Sequence, residues 1–416
     1  MLKKISSHPI FKLVVGSGGG QIISVIALPF ITRLYSPGQF GEVALISVLL
    51  GIVSSLAFFQ ADRLAVVESE QSYTGLFSFA LLSALVIGVI GFGVAISMRY
   101  LEVLRYESVS YSLFLFLIPA MAIASGYRLI RILALRNFFY KQVGISSFLN
   151  SAFSAVGKLS FSGIGSLGLL AGDALGNLVT LFFLRRNLKL SFGFSFKAAK
   201  DFYTKNQAFL RDSQVSTFLN SIGSALPSYI ISSRLGVAQL GLFAIAYRIV
   251  SLPVVHLGTA KSDFYNSKIS EFIRNGQPKE LLQFLKKWAL RDFLLGISGY
   301  LLIAIVSPYA FPIIFGSAWS GGGQVVQILS IWMFGAYLVV PFSHILILTK
   351  KIRLKMIYDL FNLITLSAFF FASSGKNPIA LYWGLSIVQS LTYVVYFVLI
   401  LYAVKSFTYQ KDSEPA

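Results

Sequence analysis

The chain has 416 residues, of which 56% are hydrophobic and only 12% charged, with a mean hydropathy of +0.75. A soluble domain carries about 25% charge, so a soluble protein with a large core is excluded, and the absence of cysteine excludes disulfides, thiolate metal sites and a nucleophilic thiol. The net charge of +19 would suggest nucleic acid in a soluble protein, but the cations lie in short segments between apolar runs, and no RRM, zinc-finger or helix-turn-helix pattern accompanies them.

In chain order, apolar stretches near 11–32, 41–61, 74–97, 111–133, 143–162, 164–184, 215–233, 240–260, 288–310, 324–348, 357–373 and 379–403 predict twelve transmembrane helices. Each is close to the ~20 residues that cross a ~30 Å hydrocarbon core. Lys3 and Lys4 precede the first stretch, which Gly16-Ser-Gly-Gly-Gly20 interrupts without a small-residue cleavage site. It therefore reads as a retained span and not a signal peptide. The glycine run matches a phosphate loop only in composition, because no strand precedes it and no GKS/T follows. Close helix packing or a flexible bend is the expectation there. Ser162-Gly-Ile-Gly-Ser166 alone divides spans five and six. Pro29, Pro119, Pro227, Pro253 and Pro341 fall within spans and predict kinks.

Lysine and arginine are strongly asymmetric about this map. With the N-terminus inside, 28 of the 35 lie in cytoplasmic segments and five, Arg33, Arg99, Arg105, Arg234 and Lys376, in outer loops. The positive-inside rule then places both termini in the cytoplasm. Every outer loop is short. The two longest connections, 185–214 and 261–287, are basic and internal. Phe202, Tyr203, Phe209 and Leu210 repeat with helical spacing in the first, and Asn275-Gly-Gln-Pro278 breaks the second into two helices. Such helices lie against acidic headgroups or dock partner enzymes. Tyr35, Tyr106, Trp288 and Trp319 fit an interfacial aromatic belt.

Two cations remain, Lys158 and Arg248, well inside apolar stretches. A cation in a spanning helix is costly and faces a pore, a cavity or a partner. Arg248 sits about eight residues into span eight, near the membrane middle, and Asp173 lies at similar depth in span six. Arg248 either pairs with Asp173 or faces a cavity and attracts a diphosphate, whose oxygens match the guanidinium donors. Lys158 either snorkels to outer headgroups or lines the cavity. Asp62 and Arg63, at the inner end of span two, form a solvated boundary pair or an inner gate. Three scattered histidines, His8, His256 and His344, offer no zinc-type spacing, and neither a metal nor a cofactor is expected.

The chain also repeats itself. Arg33-Leu-Tyr-Ser-Pro-Gly-Gln39-Phe-Gly41 follows span one, and Arg234-Leu-Gly-Val-Ala-Gln239-Leu-Gly241 follows span seven, with Pro29 and Pro227 before each arginine. Two six-helix bundles, 1–200 and 201–416, follow from this spacing. Six spans each give them the same orientation, as in transporters that hold substrate between halves.

Leu28-Pro-Phe-Ile-Thr-Arg33-Leu-Tyr-Ser-Pro37-Gly-Gln-Phe-Gly41 resembles the end of the first span in bacterial polysaccharide (O-antigen) flippases of the MOP exporter superfamily. Ala61-Asp-Arg63-Leu-Ala-Val-Val67, Gly241-Leu-Phe-Ala-Ile-Ala-Tyr247-Arg248-Ile-Val-Ser-Leu-Pro253 and Phe315-Gly-Ser-Ala-Trp319 are similar to later segments of that family. The resemblance covers nearly the whole chain. It implies an all-α, MATE-like fold around a central cavity in the bacterial inner membrane. It also implies movement of undecaprenyl-diphosphate-linked oligosaccharide to the outer leaflet, with membrane lipids, a polysaccharide polymerase and a chain-length regulator as partners and no nucleic acid. A cation or drug antiporter of the same superfamily would favour more acidic residues deep in spans. A polymerase or ligase would need a long outer loop and paired carboxylates or a histidine outside.

Overall fold

The computed structural model describes residues 9–57, 64, 72–188, 193–349, 351–373 and 377–412. These residues are helical almost throughout, and none of them is in a strand. The N-terminal helices are α1 (Pro9–Leu34), α2 (Pro37–Ala57), α3 (Tyr73–Tyr100), α4 (Tyr111–Arg136), α5 (Tyr140–Ser160), α6 (Ser166–Leu188) and α7 (Phe196–Leu235). They are followed by α8 (Val237–Val250), α9 (Leu252–Arg274), α10 (Pro278–Phe315), α11 (Ser320–Val339), the single turn α12 (Ile345–Leu348), α13 (Ile352–Ala372) and α14 (Pro378–Asp412).

Each expected span coincides with a helix or a consecutive pair. Among the described residues nine segments are long and apolar enough to cross a membrane; they correspond to α2, α3, α4, α6, α8 running into α9, α10, α11 running into α12, α13, and α14. The remaining three expected spans fall on α1, α5 and α7, which carry more glycine, serine or charge. The protein is thus a multi-pass membrane protein. Its surface supports this physically: Ile22, Ile26, Val86, Val89, Leu294, Leu301, Leu302, Val394 and Val398 are exposed. That much exposed hydrocarbon is a liability in water and carries no penalty in lipid.

Contacts divide the chain into two compact units, Met1–Gly241 and Leu242–Ala416. In the first, α5 packs along both α1 and α6, α4 packs on α3 and α6, and α7 lies on α2 and α3. Leu76, Leu129, Leu133, Leu184 and Phe202 build its core at the end where α4 and α6 finish. In the second unit α11 packs on α10 and α14, and α13 lies on α14. Tyr265, Leu281, Phe342, Tyr396 and Ile400 form its largest core.

Glycine sets the closest packing in the first unit. A Cβ on Gly157 would lie 2.8 Å from Gly172 Cα, and one on Gly172 would lie 2.6 Å from the Lys158 backbone nitrogen, so α5 and α6 touch backbone to backbone. The Gly16–Gly20 run belongs to the same system. Gly16 abuts the Gly144 backbone and Gly20 lies against the Ser147 carbonyl, inside an unbroken α1. Close packing is therefore its role. Membrane helices associate through such small residues because lipid supplies no hydrophobic drive.

Several expected breaks are present. Spans five and six separate at a 3-10 turn, Ser162–Ile164, followed by Gly165 at φ 64°. The basic connection breaks into α9 and α10 with Gly276 at φ 66°. Two expected kinks are full interruptions instead: span eight breaks at Ser251 just before Pro253, and α11 ends ahead of the turn containing Pro341. Proline lacks the N–H that would continue the helix and sits at the start of the next turn.

The aromatic-belt expectation needs correction at three positions. Tyr35, Tyr106 and Trp319 are 3%, 0% and 0% exposed, so they pack inside protein. The Tyr35 hydroxyl donates to the Lys158 carbonyl at 2.7 Å and the Tyr106 hydroxyl to the Leu45 carbonyl at 3.3 Å. Lys158 lies in the last turn of α5, where carbonyls lack an intrahelical partner, so its carbonyl is open to the tyrosine hydroxyl of a neighbouring helix.

Candidate functional site

Two polar constellations and one solitary cation stand out, each inside one unit. The first lies along α5 and α6. Ser147, Asn150, Ser154 and Lys158 recur every three or four residues on α5, so they share one face. Opposite them, α6 offers Asp173 and Asn177. Asn150 Nδ2 donates to Asn177 Oδ1 at 2.9 Å. One turn further, Ser154 Oγ donates to Asp173 Oδ1 at 2.6 Å, and Lys158 Nζ lies 2.6 Å from the same oxygen.

The glycine contact between α5 and α6 makes this geometry available, because larger residues would separate the two polar faces. Lys158 is mostly buried, with its side chain 14% exposed, whereas Asp173 is 49% exposed. Lys158 thus neither snorkels freely nor projects as an isolated cation. Asp173, considered as a partner for Arg248, is neutralised by Lys158 within its own unit. The register of α5 carried the signal for this: Ser, Asn, Ser and Lys on one helical face opposite Asp and Asn.

Arg248 presents the contrasting case. Leu242, Ile245, Ala246 and Val250 form the buried stripe of α8, and Arg248 points to the other side, exposed. Among the described residues no carboxylate lies within ion-pair distance of its guanidinium. Its neighbour Tyr247 stacks near Phe243, with ring centroids 5.6 Å apart, and near Trp332 of α11, at 5.3 Å. That aromatic packing holds α8 in rotation and so fixes the side on which Arg248 emerges. An exposed, unneutralised guanidinium on a membrane-spanning segment offers several donors to one anion.

The second polar constellation was not anticipated. Lys261 and Tyr265, one turn apart on α9, both approach Asp292 of α10: Lys261 Nζ lies 2.9 Å from Asp292 Oδ2 and the Tyr265 hydroxyl donates to that oxygen at 2.9 Å. Asp292 is only 2% exposed. The Lys261 ammonium also sits over the Tyr337 ring of α11, 3.5 Å from its centroid. Lys261 falls at the start of the basic connection 261–287 and Asp292 near the start of the apolar stretch 288–310, so their positions along the chain do not pair them. The i, i+4 spacing of Lys261 and Tyr265 was the available signal.

The repeat motifs also meet. Within residues 1–241, a Cβ on Gly41 would fall on the Val237 carbonyl, and one on Gly241 would fall on the Pro37 carbonyl. Gly41 and Gly241, like Pro37 and Val237, are corresponding members of the two motifs, so the contact is reciprocal. The sequence motifs were legible, but their mutual contact was not. Asp62 and Arg63 lie outside the described residues.

Residues 30–322 match the model of a family described as polysaccharide biosynthesis protein. No curated protein matches the chain in sequence. Among solved structures, the chain is similar to an inward-facing multidrug resistance MATE family transporter of the MOP superfamily, with a TM-score of 0.68 at 13% identity, covering 98% of this chain and 100% of that one. It is also similar to a MATE in complex with MaL6 (TM-score 0.57, 14% identity, 97% and 98% covered). A third likeness is to a MOP superfamily transporter from Pyrococcus furiosus Vc1 (DSM3638), described as having a binding pocket of reverse polarity (TM-score 0.53, 15% identity, 96% of each chain). At these identities the likeness establishes the MATE-like, all-helical fold.

Proposed function

Because the chain belongs to the polysaccharide biosynthesis protein family and has the fold of MOP-superfamily transporters, we propose that it flips undecaprenyl-diphosphate-linked oligosaccharide repeat units from the cytoplasmic to the outer leaflet. The observation that carries the proposal is the pairing of that family with Arg248, an exposed guanidinium on a membrane-spanning segment without a carboxylate partner among the described residues. A sugar-diphosphate head cannot cross hydrocarbon alone, since each unpaired polar group costs several kcal/mol. A cationic cavity replaces the lost water for the head, and the prenyl tail stays in the bilayer. In this reading Arg248 receives the diphosphate, and the Lys158–Asp173 pair, the Asn150–Asn177 pair and the half-exposed Asp173 oxygens line a polar route for sugar hydroxyls. Asp62 and Arg63 belong to the inner end of the route.

The halves 1–200 and 201–416 would be repeats that rock about the bound head, with both termini in the cytoplasm. Surface O-antigen or a related polysaccharide is the destination, and a polymerase and chain-length regulator act on the released unit. A MATE-like cation or drug antiporter is the second reading, supported by the fold. Asp173 is the acidic residue that lies clearly mid-span in that case, but Lys158 already neutralises it.

Spheroplasts lacking the protein test the proposal. They should accumulate lipid-linked repeat units in the inner leaflet, and restoring the wild-type chain should clear them. Unchanged leaflet distribution, with altered drug efflux, would establish the antiporter reading instead.

A further inference from the structure

A cavity of about 100 Å³ lies in the first unit between α3, α4 and α6. Its walls are apolar side chains, chiefly Phe77 and Leu81 of α3, Leu129 and Ile130 of α4 and Leu181 of α6, with Arg185 at one end. Small residues hollow it out: Ala80, Ala122, Ser125 and Gly126 also line it. A Cβ on Gly126 would come within 2.8 Å of the Leu181 side chain, so the groove narrows there to a slot.

Its orientation is informative. Phe77 is four residues from the start of α3, Arg185 three residues from the end of α6, and Ile130 six residues from the end of α4. These three helix ends lie on one face of the membrane, so the arginine marks the interfacial mouth. From Ile130 to Ala122 the slot runs about 12 Å toward the membrane interior, at 1.5 Å per residue. An exposed cation at the interface and a narrow apolar slot behind it match an amphiphile with an anionic head and a hydrocarbon tail.

The groove is narrow, about 100 Å³, smaller than the roughly 150 Å³ of a cavity that accepts benzene, and its walls are mostly apolar, which suits a segment of one hydrocarbon chain better than a sugar. Nor does the slot itself select its occupant by hydrophobicity, because a tail leaving bilayer for protein exchanges one apolar contact for another. Discrimination falls to Arg185, whose planar donors favour a phosphate without a neighbouring ammonium.

We propose that this slot is a binding site for one acyl chain of an anionic phospholipid, with its phosphate on Arg185. On the topology proposed above, the lipid belongs to the inner leaflet. The site lies within the first unit and Arg248 within the second, and the proposal does not depend on which substrate is exported.

All four tryptophans, at positions 288, 319, 332 and 383, lie in the second unit, so Phe77→Trp places a reporter in the groove. The purified full-length Phe77→Trp protein is reconstituted in nanodiscs with brominated phosphatidylglycerol or brominated phosphatidylethanolamine, and wild-type quenching is subtracted. Bromolipid quenching should favour phosphatidylglycerol by about fivefold in apparent affinity, the equivalent of one interfacial arginine. Arg185→Gln should abolish the preference and Arg185→Lys should retain part of it. Ala122→Leu should weaken quenching by both lipids. Equal quenching by the two lipids in the Phe77→Trp protein overturns the proposal, as does a preference unchanged by Arg185→Gln. Displacement of phosphatidylglycerol by undecaprenyl diphosphate at equimolar amounts would also overturn it, since the slot would then hold the substrate's tail.

Discussion

Arg248, Lys158 and Lys261 carry the same charge within or beside apolar stretches, yet their surroundings assign them different work. Lys261 is ion-paired with the buried Asp292 and lies over the Tyr337 ring, and removing one member of such a pair strands the other. Asp292→Ala should therefore cost about 3–5 kcal/mol. A large loss of folded, detergent-soluble protein in a thermal assay would register it. Asp292→Leu combined with Lys261→Met should recover most of that stability, because no charge remains unpaired. Arg248 has no such partner among the described residues, so its removal should leave abundance intact. Arg248→Ala should lower export about 10–100-fold, the equivalent of one or two charge-assisted hydrogen bonds. Arg248→Lys should restore only part of it, because lysine keeps the charge without the planar donor array. Leaflet distribution of the lipid-linked unit measures both. A fall in abundance that parallels the fall in export would assign Arg248 a structural role.

At the scale of helices, association rests on residues that contribute almost no side chain. Gly157 and Gly172 let α5 and α6 touch, and that contact is the condition for the Lys158–Asp173 and Asn150–Asn177 bonds. Gly172→Leu should separate the helices and cost about 1–3 kcal/mol through overpacking. The same change should uncouple the polar pairs, so export should fall by more than stability alone explains. Comparison with Gly163→Leu checks this, because a Cβ at Gly163 meets nothing within 4 Å and that variant should behave as wild type. The reciprocal contact of Gly41 and Gly241 makes a parallel case. Gly41→Val and Gly241→Val should have closely similar effects on stability, because each would drive a side chain into the backbone carbonyl of the other motif.

The whole molecule is a multi-pass helical membrane protein whose orientation rests on its distribution of cations. Because the chain has no cysteine, single cysteines can map it without background. Cysteines at 36, 103, 236 and 318 should react with an impermeant maleimide added outside intact cells. Those at 138, 200, 276 and 352 should react only after permeabilisation. Reversal of the pattern beyond residue 164 would remove the basis of the proposed repeat, since the halves would no longer share an orientation.

What the sequence by itself determined was whatever depends on local hydrophobicity and on excluded conformations. Twenty-residue apolar runs must become helices in lipid, because every backbone polar group has to be satisfied within the segment. Gly165 and Gly276 mark breaks for equally local reasons, while Pro253 and Pro341 announced only bends that the fold opens into full interruptions. The bias of cations to one side, the repeated Arg-Leu motifs and the family resemblance were legible in the same way. Tertiary structure alone decided which polar groups meet. Asp173 had two cations to choose between, and the glycine seam between α5 and α6 selected Lys158. Tyr35, Tyr106 and Trp319 have the composition of interfacial anchors, yet neighbouring helices enclose them. Lys261 reads as part of a basic connection and Asp292 as the start of the next apolar stretch, and only the packing of α9 against α10 makes them a buried pair. The physical reason is common to all three cases. A helix's hydrophobicity specifies that it is in the membrane, but its rotation and neighbours are set by small-residue contacts from distant parts of the chain.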